Sequence, residues 1–134
     1  MNLDIIKIAS NTENHKIIEN PTHFSKDKNA ICGDEMSIGL IIQNNEIVDF
    51  GYQCKSCIYC QASVSLLSRT TIKMNLNDII KLLNESKNFF KKNNEISNKW
   101  KIFKNIINEK NFSRKECLLL PFKTLSKTIS SKNE

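Results

Sequence analysis

The sequence predicts an α+β fold in which helices pack on one face of a small antiparallel sheet. Apolar residues alternate with a period of two over about residues 36–53, whereas those after position 62 recur at helical spacing. A hairpin followed by several helices favours this fold class. The 134 residues, 40% of them hydrophobic, suffice for one domain with a sizeable core. We therefore expect a single domain over residues 1–134, with a frayed tail after about residue 130.

The residues before the hairpin are predicted to form a short helix and then a loop. Four apolar residues near the start of the chain indicate a helix over residues 3–10: Leu3, Ile5, Ile6 and Ile8. Residues 20–28 contain Pro21, Ser25 and alternating charges, which predict a loop.

The hairpin is predicted over about residues 36–53. Its first strand alternates apolar and other residues, with Met36, Ile38, Leu40 and Ile42 in the apolar positions. The pair Asn44-Asn45 supplies the turn, since Asn tolerates the positive φ of tight hairpins. In the second strand, Val48, Phe50 and Tyr52 are expected on one face.

Four helical segments are predicted in the second half. The first runs from Ala62 to Arg69. Apolar residues at helical spacing mark the others: Leu76, Ile79, Ile80, Leu83 and Phe90; Ile96, Trp100, Phe103 and Ile107; and Leu118, Phe122, Leu125 and Ile129. Ser113 and Glu116 have the spacing of a capping box, which would start the last helix just before Cys117. Pro121 is tolerable if it lies near the first turn of that helix.

Composition and charge narrow the class of protein. The sequence shows neither an apolar run of about 18–20 residues nor a secretory signal, so we expect a cytoplasmic protein with reduced thiols and no membrane contact. Residues 68–134 carry fifteen Lys and Arg against six acidic residues. We interpret this excess as solvated helix faces and disfavour a nucleic-acid partner, because interleaved aromatic residues are sparse.

Five cysteines carry the candidate chemistry: Cys32, Cys54, Cys57, Cys60 and Cys117. Cys32 precedes the hairpin and Cys57 follows it, so strand pairing places both at one end of the sheet. Cys117 at a helix start lies at the positive end of the helix dipole, which favours the thiolate that binds metals and attacks sulfur. Gly33 permits a backbone turn that could direct Cys32 and Asp34 to one ion.

Inert thiols are the alternative, because a single cysteine is most often a small buried hydrophobe. The spacing C-x2-C-x2-C lacks the second ligand pair of a standard zinc finger, which disfavours that kind of site. Spacing alone favours a metal or sulfur site only modestly over inert cysteines.

Several landmarks occur in a recognisable order: Asn20-Pro21, Cys32-Gly33-Asp34, Val48-Asp49-Phe50-Gly51, Cys57 five residues before Ala62-Ser63-Val64-Ser65, and Arg114 through Cys117. In this order they resemble the NifU-like N-terminal (IscU/SufU) family of iron–sulfur cluster assembly scaffolds, over roughly residues 3–130. The Cys-Gly-Asp and Cys-x4-Ala-Ser elements are together fairly specific. The run Cys117-Leu-Leu-Leu-Pro-Phe is similar to the last helix of a bacterial branch of the family.

The resemblance implies a SufE/NifU-like fold and a site built from Cys32, Asp34, Cys57 and Cys117. Such a site would hold a transient [2Fe–2S] cluster, or Fe²⁺ beforehand, with Zn²⁺ as the alternative in the isolated protein. Three soft thiolates suit iron and zinc, and the harder carboxylate is a weaker ligand that helps a scaffold release its cluster. The implied partners are a cysteine desulfurase and apo iron–sulfur acceptor proteins. Cys57 and Cys117 are the candidate persulfide acceptors.

Some positions depart from the family pattern. Glu116 stands where IscU has a histidine, and we interpret it as a capping residue, with an occasional ligand as the lesser alternative. Residues 111–115 do not match the Leu-Pro-Pro-Val-Lys chaperone motif, which disfavours binding of the specialised heat-shock chaperone. Ser56 stands where the family usually has a glycine, directly before the middle cysteine. Cys54 and Cys60 are additional cysteines, which we interpret as spare buried thiols, with alternative ligands beside Cys57 as the lesser alternative. We expect His15 and His23 to be surface or loop residues rather than ligands.

Three functions remain distinguishable. The leading hypothesis is a non-enzymatic scaffold or carrier for iron–sulfur cluster assembly. The first alternative is a zinc-containing sulfurtransferase, in which the same ligands hold zinc and a cysteine relays sulfur. The second alternative is a zinc-stabilised binding module that uses the basic half of the chain.

Overall fold

A computed structural model describes residues 3–30, 33–92 and 96–131 of the chain. The elements follow in the order α1 (Leu3–Ala9), β1 (His23–Lys28), β2 (Glu35–Gln43), β3 (Glu46–Lys55), α2 (Ile58–Thr71), α3 (Leu76–Lys92), two 3₁₀ segments (Asn98–Asn105 and Glu109–Arg114) and α4 (Lys115–Ser130). The strands form one antiparallel sheet in the order β1-β2-β3. Helices α2 and α4 pack on this sheet and on each other, which confirms the predicted α+β fold.

The central hairpin is confirmed, and its turn has the backbone conformation that the sequence predicts. Asn44 and Asn45 have φ angles of 52° and 63°, the left-handed conformation that Asn tolerates better than most residues. Met36, Ile38 and Leu40 are buried on the inner face of β2. Phe50 and Tyr52 of β3 are buried opposite Leu40 and Ile38. This alternation is the pattern from which the hairpin is predicted.

The predicted common face of Val48 with Phe50 and Tyr52 is wrong for Val48. The register shifts between Ile41, which pairs with Asp49, and Ile42, which pairs with Ile47. Val48 is therefore the extra residue of a β-bulge, and its side chain is 41% exposed. Ile47 and Phe50 both reach the core because the bulge resets the alternation between them.

The loop predicted over residues 20–28 is wrong from His23 onward, because His23–Lys28 forms β1 along the edge of β2. Its contact with the helical layer is polar: the Ser25 hydroxyl lies 2.5 Å from the Thr128 hydroxyl and donates to the carbonyl of Thr124 at 3.2 Å. A strand whose one buried residue is a serine has no apolar alternation to detect.

The outer face of the sheet is crossed by the segment between α1 and β1. Gly39 and Gly51 pair across β2 and β3, and the missing side chains leave room for Lys16 and Ile18. A Cβ at Gly51 would lie 2.6 Å from the carbonyl oxygen of Lys16. The close passage of this segment therefore depends on glycine at position 51.

The helical half departs from prediction in three places. Helix α2 begins at Ile58 rather than Ala62, and Ile80 on α3 is exposed whereas Leu82 is buried. The stripe that ends at Ile107 lies on the 3₁₀ segment Asn98–Asn105 and the residues flanking it, not on an α-helix. The segment is not regular, because Trp100 has non-helical angles of φ −113° and ψ 25°. Its predicted apolar residues are buried all the same: Ile96, Trp100, Phe103 and Ile107.

Helix α4 is confirmed, but its predicted capping box is wrong. Arg114 is the N-cap residue, and no side chain caps the helix there. Glu116 instead forms an ion pair with Lys123 at 3.6 Å on the helix surface. Pro121 lies inside the helix, beyond its first turn, and is buried. Apart from Ser131, the predicted tail lies outside the described residues.

None of the helices in the described ranges is long and apolar enough to cross a membrane.

Candidate metal centre

Three of the predicted site residues come together where β2 starts and β3 ends. One ligand atom each from Asp34, Cys57 and Cys117 lies within 4.8 Å of the other two. Asp34 and Cys117 are each 6% exposed, and Cys57 is half-buried. The group is therefore shielded on most sides and open to solvent at Cys57.

Each residue is held by a different part of the chain. Asp34 directly precedes β2, at the end of a loop closed by hydrogen bonds from Gly33 N to Asn29 O and from Asn29 N to Asp34 O, each 2.8 Å. Gly33 has φ +75°, in the left-handed region that glycine adopts with less strain than other residues. Cys57 is the N-cap residue of α2, and Cys117 lies in the first turn of α4. The sheet and two helices thus build the site together.

The two oxygens of Asp34 have different surroundings. Oδ1 accepts a hydrogen bond of 3.2 Å from the backbone N–H of Cys57. Oδ2 is buried and has no hydrogen-bond partner among the described residues. A buried carboxylate oxygen without a partner is costly, and a cation is one of the few groups that would satisfy it. The donor set of one carboxylate and two thiols suits iron or zinc.

Two helix N-termini converge on the group, because Cys57 starts α2 and Cys117 lies at the start of α4. The positive ends of both helix dipoles stabilise thiolates and other negative charge there. The Arg114 guanidinium lies 5.2 Å from the centre of the Tyr59 ring, so a cation is held where the two helices begin. The local field therefore favours negatively charged ligand groups at this position.

Cys32, the fourth predicted ligand, lies outside the described residues. Within the described ranges, no other His, Cys, Asp or Glu belongs to this group, so Glu116, His15 and His23 are not part of it. His15 is exposed and stacks on the ring of Tyr52, with centroids 5.0 Å apart, whereas His23 lies on β1 rather than in a loop.

The two additional cysteines occupy different environments. Cys60 lies in the first turn of α2 with no exposed surface, and Cys54 is half-buried on β3. Burial raises the pKa of both thiols above the ordinary value of 9.0, and the Ser56 hydroxyl beside them opposes part of that rise. The Ser56 hydroxyl nonetheless forms no hydrogen bond of normal length to a described residue. Both thiols therefore release their protons less readily than an ordinary cysteine does.

Sequence reasoning missed one residue that supports the site. The Ser63 hydroxyl on α2 donates a hydrogen bond of 2.6 Å to the carbonyl of Leu118, next to Cys117 on α4. Pro121 has no N–H, so residue 121 cannot donate the usual backbone hydrogen bond to the carbonyl of Cys117 within α4. The Ser63 hydrogen bond joins α4 to α2 one residue away from this position. The position of Ser63 between Ala62 and Val64, near the start of a predicted helix, is the signal that could have indicated it.

The fold and the site define a small α+β domain with a buried carboxylate–thiol centre at one end of its sheet. The chain belongs to the family of the NifU-like N-terminal domain, whose model matches residues 3–109. The matched range includes Asp34 and Cys57 and ends before Cys117. Membership confirms the resemblance found in the sequence.

Relatives and solved structures agree with this placement. The chain is 25% identical over 126 residues to the iron–sulfur cluster assembly scaffold protein IscU of Thermotoga maritima, covering 93% of this chain and 89% of the relative. It superposes on SufU of Fervidobacterium islandicum AW-1 with a TM-score of 0.90 at 24% identity, over 97% and 96% of the two chains. An N-terminal NifU-like protein of Brucella abortus gives a TM-score of 0.86 at 21% identity, over 96% and 90%. The two structures establish the shared fold.

Proposed function

We propose that this protein is a scaffold for iron–sulfur cluster assembly, which holds a nascent cluster as cargo on Asp34, Cys57 and Cys117. The observation that carries the proposal is the cluster of these ligand atoms within 4.8 Å, with Asp34 Oδ2 buried and unpartnered among the described residues. The IscU relative, named as a scaffold, and membership of the NifU-like family support it. Cys32 joins the proposed ligand set on the family resemblance.

The spacing of the group suits a metal cargo. Tetrahedral coordination with metal–sulfur bonds of about 2.3 Å needs ligand atoms about 4 Å apart, slightly closer than the 4.8 Å limit of the free group. Small movements of the three side chains towards one another would close that difference.

The mixed donor set suits a cargo that must leave. Thiolates bind iron strongly, whereas a carboxylate is a harder and weaker ligand for a cluster iron. Asp34 is also anchored through Oδ1, so only Oδ2 would reach the metal and the bond would be monodentate. An incoming thiolate from an acceptor protein could displace Oδ2 first, while Cys57 and Cys117 still hold the cluster.

Sulfur would enter at the more accessible thiol of the group. Cys57 is the more accessible of the two proposed acceptors, since Cys117 is 6% exposed. We propose that a cysteine desulfurase delivers persulfide sulfur to Cys57 or Cys117, and that apo iron–sulfur proteins take the finished cluster. A zinc-bound form that only relays sulfur is the competing function for the same site.

Anaerobic reconstitution tests the proposal. The purified protein is mixed with Fe²⁺ and sulfide, and a matched sample is loaded with Zn²⁺. A scaffold gains visible sulfur-to-iron charge-transfer absorbance and passes the cluster to an apo-ferredoxin. Protein that binds Zn²⁺ tightly but gains no such absorbance would reject the scaffold in favour of the sulfurtransferase. A salt-dependent gel shift with nucleic acid, without metal-dependent absorbance, would instead favour the binding module.

A further inference from the structure

Two thiols share the first turn of α2. Cys57 is the half-buried N-cap residue, and Cys60 is the third residue of the helix, with no exposed surface. The Cα–Cα distance between residues i and i+3 depends on the dihedral angles of the two residues between them. Ile58 and Tyr59 are helical, so helix geometry places the Cα atoms of Cys57 and Cys60 about 5 Å apart. That separation lies within the range of roughly 4.4–6.8 Å found in disulfides.

Cys54 does not share this geometry, although it precedes Cys57 by the same number of residues. Lys55 is the last residue of β3 and keeps an extended conformation, so no helical turn brings Cys54 towards Cys57. Cys117 does approach Cys57, with their sulfur atoms no more than 4.8 Å apart, but it belongs to a different helix and to the ligand group. Cys60 is thus the thiol near Cys57 that the metal site does not use.

The pair also has the asymmetry of a dithiol that exchanges disulfides. One thiol at a helix N-terminus is open to solvent, and the other is buried one turn later in the same helix. In such pairs the outer sulfur reacts with partners and the inner sulfur resolves the product. The buried Ser56 hydroxyl lies beside Cys60 without a hydrogen-bond partner among the described residues, so it can donate to the sulfur of Cys60 as that sulfur reacts.

We propose that Cys57 and Cys60 form a dithiol–disulfide pair that reduces persulfide sulfur on Cys57 to sulfide. The inference rests on the proposed function in one respect: sulfur must arrive as a persulfide. Such sulfur is more oxidised than the sulfide of a cluster, and two electrons must be supplied. The two cysteine thiols can supply them within one helical turn.

The step balances as a thiol–disulfide exchange. The sulfur of Cys60 attacks Sγ of the Cys57 persulfide, and a Cys57–Cys60 disulfide bond forms. The bond from Cys57 Sγ to the outer sulfur breaks, and that sulfur leaves as hydrosulfide, which takes up the proton that Cys60 gives up. In this step the Cys60 sulfur is oxidised and the outer sulfur is reduced, while the Cys57 sulfur stays at the same oxidation level. Counted from the two free thiols, the cysteine pair has then supplied the two electrons that turn the delivered sulfur into sulfide. An external dithiol reductant then attacks the half-buried Cys57 sulfur, which is the more accessible of the two, and restores both thiols.

A single-turnover experiment on the full chain tests this step. Reduced, metal-free protein is treated anaerobically with inorganic polysulfide as the sulfur donor, the excess is removed, and released sulfide is measured. Wild type and the matched control Cys54→Ala should release stoichiometric sulfide and form a Cys57–Cys60 disulfide, identified by peptide mass mapping. Cys60→Ala should keep the extra sulfur on Cys57 and release sulfide at least about tenfold more slowly, because the intramolecular thiol is gone.

Mapping of the disulfide in the wild type tests the proposed redox pair even if Cys60→Ala fails to fold. Oxidised wild type that links Cys57 to Cys54 or to Cys117 would overturn the proposal, as would a folded Cys60→Ala that releases sulfide at the wild-type rate. Reconstitution with Fe²⁺ and sulfide supplied directly bypasses the reductive step. If the wild type forms the Cys57–Cys60 disulfide but gains no cluster in this reconstitution, the proposed scaffold function is wrong. If it gains the cluster but forms no Cys57–Cys60 disulfide, the proposed redox pair is wrong.

Discussion

The backbone N–H of Cys57 donates a hydrogen bond of 3.2 Å to Oδ1 of Asp34. One proposed ligand thus fixes the backbone of another, across the gap between the start of β2 and the start of α2. The two oxygens of Asp34 differ, since Oδ1 accepts this hydrogen bond and Oδ2 has no hydrogen-bond partner among the described residues. Under the proposed function, Oδ2 is the oxygen that binds the metal.

Substitutions of Asp34 separate the two oxygens' roles. Asp34→Asn keeps an acceptor for the Cys57 N–H, so the free energy of unfolding of the apo protein should stay within about 0.5 kcal/mol of wild type, whereas Asp34→Ala should lose about 1–2 kcal/mol. Both should alter the spectrum of the reconstituted cluster and slow its transfer to apo-ferredoxin, because the weak ligand is gone. Urea unfolding, absorbance and transfer half-life measure these effects. Unchanged spectra and transfer rates in both variants would remove Asp34 from the site.

Substitution of the cysteines around residue 57 tests which thiol binds the cluster. Cys57→Ser should abolish reconstitution with Fe²⁺ and sulfide, because a serine hydroxyl is a poor substitute for a thiolate. Cys54→Ser and Cys60→Ser should retain it, although Cys60→Ser buries a hydroxyl and should lose about 1–3 kcal/mol of stability. Visible absorbance per chain is the readout. A full cluster in Cys57→Ser, with loss in Cys60→Ser, would show that the ligand is Cys60.

The glycine pair on the outer face provides a test of the fold. Gly51→Ala places a Cβ 2.6 Å from the Lys16 carbonyl and 2.7 Å from Ile18 Cγ1, so it should lower stability by about 2–3 kcal/mol. Its cross-strand partner is the control, since a Cβ at Gly39 has no contact closer than 3.6 Å and Gly39→Ala should change stability by less than about 1 kcal/mol. Thermal and urea unfolding of both variants provide the comparison. Equal losses would mean that residues 16–18 do not cross the sheet there.

The buried thiol of Cys60 should make stability fall at alkaline pH. Burial raises the pKa of this thiol above 9.0, so above that pH the unfolded chain releases a proton that the folded chain keeps. The free energy of unfolding then decreases as pH rises, with a limiting slope of about 1.4 kcal/mol per pH unit from this group. Urea unfolding with a reductant, from about pH 8 to about pH 10, measures the slope. The free energy of unfolding of Cys60→Ala should fall less steeply with pH than that of the wild type. Identical slopes in the two proteins would contradict the prediction.

Local patterns predicted the hairpin and the helices, because each carries its own periodicity or turn signal. Asn44-Asn45 indicates a turn without knowledge of any other part of the chain. The strand β1 could not be found in this way, since its buried contact is a hydroxyl pair between Ser25 and Thr128. Val48 was placed on the wrong face because a bulge shifts the alternation by one residue and leaves no mark in the sequence.

The candidate site was predictable in composition but not in detail. Its cysteines and Asp34 were identified from the family resemblance, and the hairpin alone placed the residues before and after it at one end of the sheet. Neither source predicts that Asp34 Oδ1 accepts the Cys57 N–H, or that Ser63 holds α4 through Leu118. Those contacts join segments far apart in sequence and arise only when the tertiary structure forms.

The three clustered donors come from the loop before β2, the start of α2 and the first turn of α4. An ion shared among them would act as a cross-link that encloses most of the chain in two large rings. Closing such rings removes many conformations from the unfolded ensemble, and an ion that binds only the assembled donors shifts the folding equilibrium by mass action. A loaded chain would therefore resist unfolding and proteolysis better than an empty one. Each delivery of cargo would leave a less stable protein, and refilling would restore it.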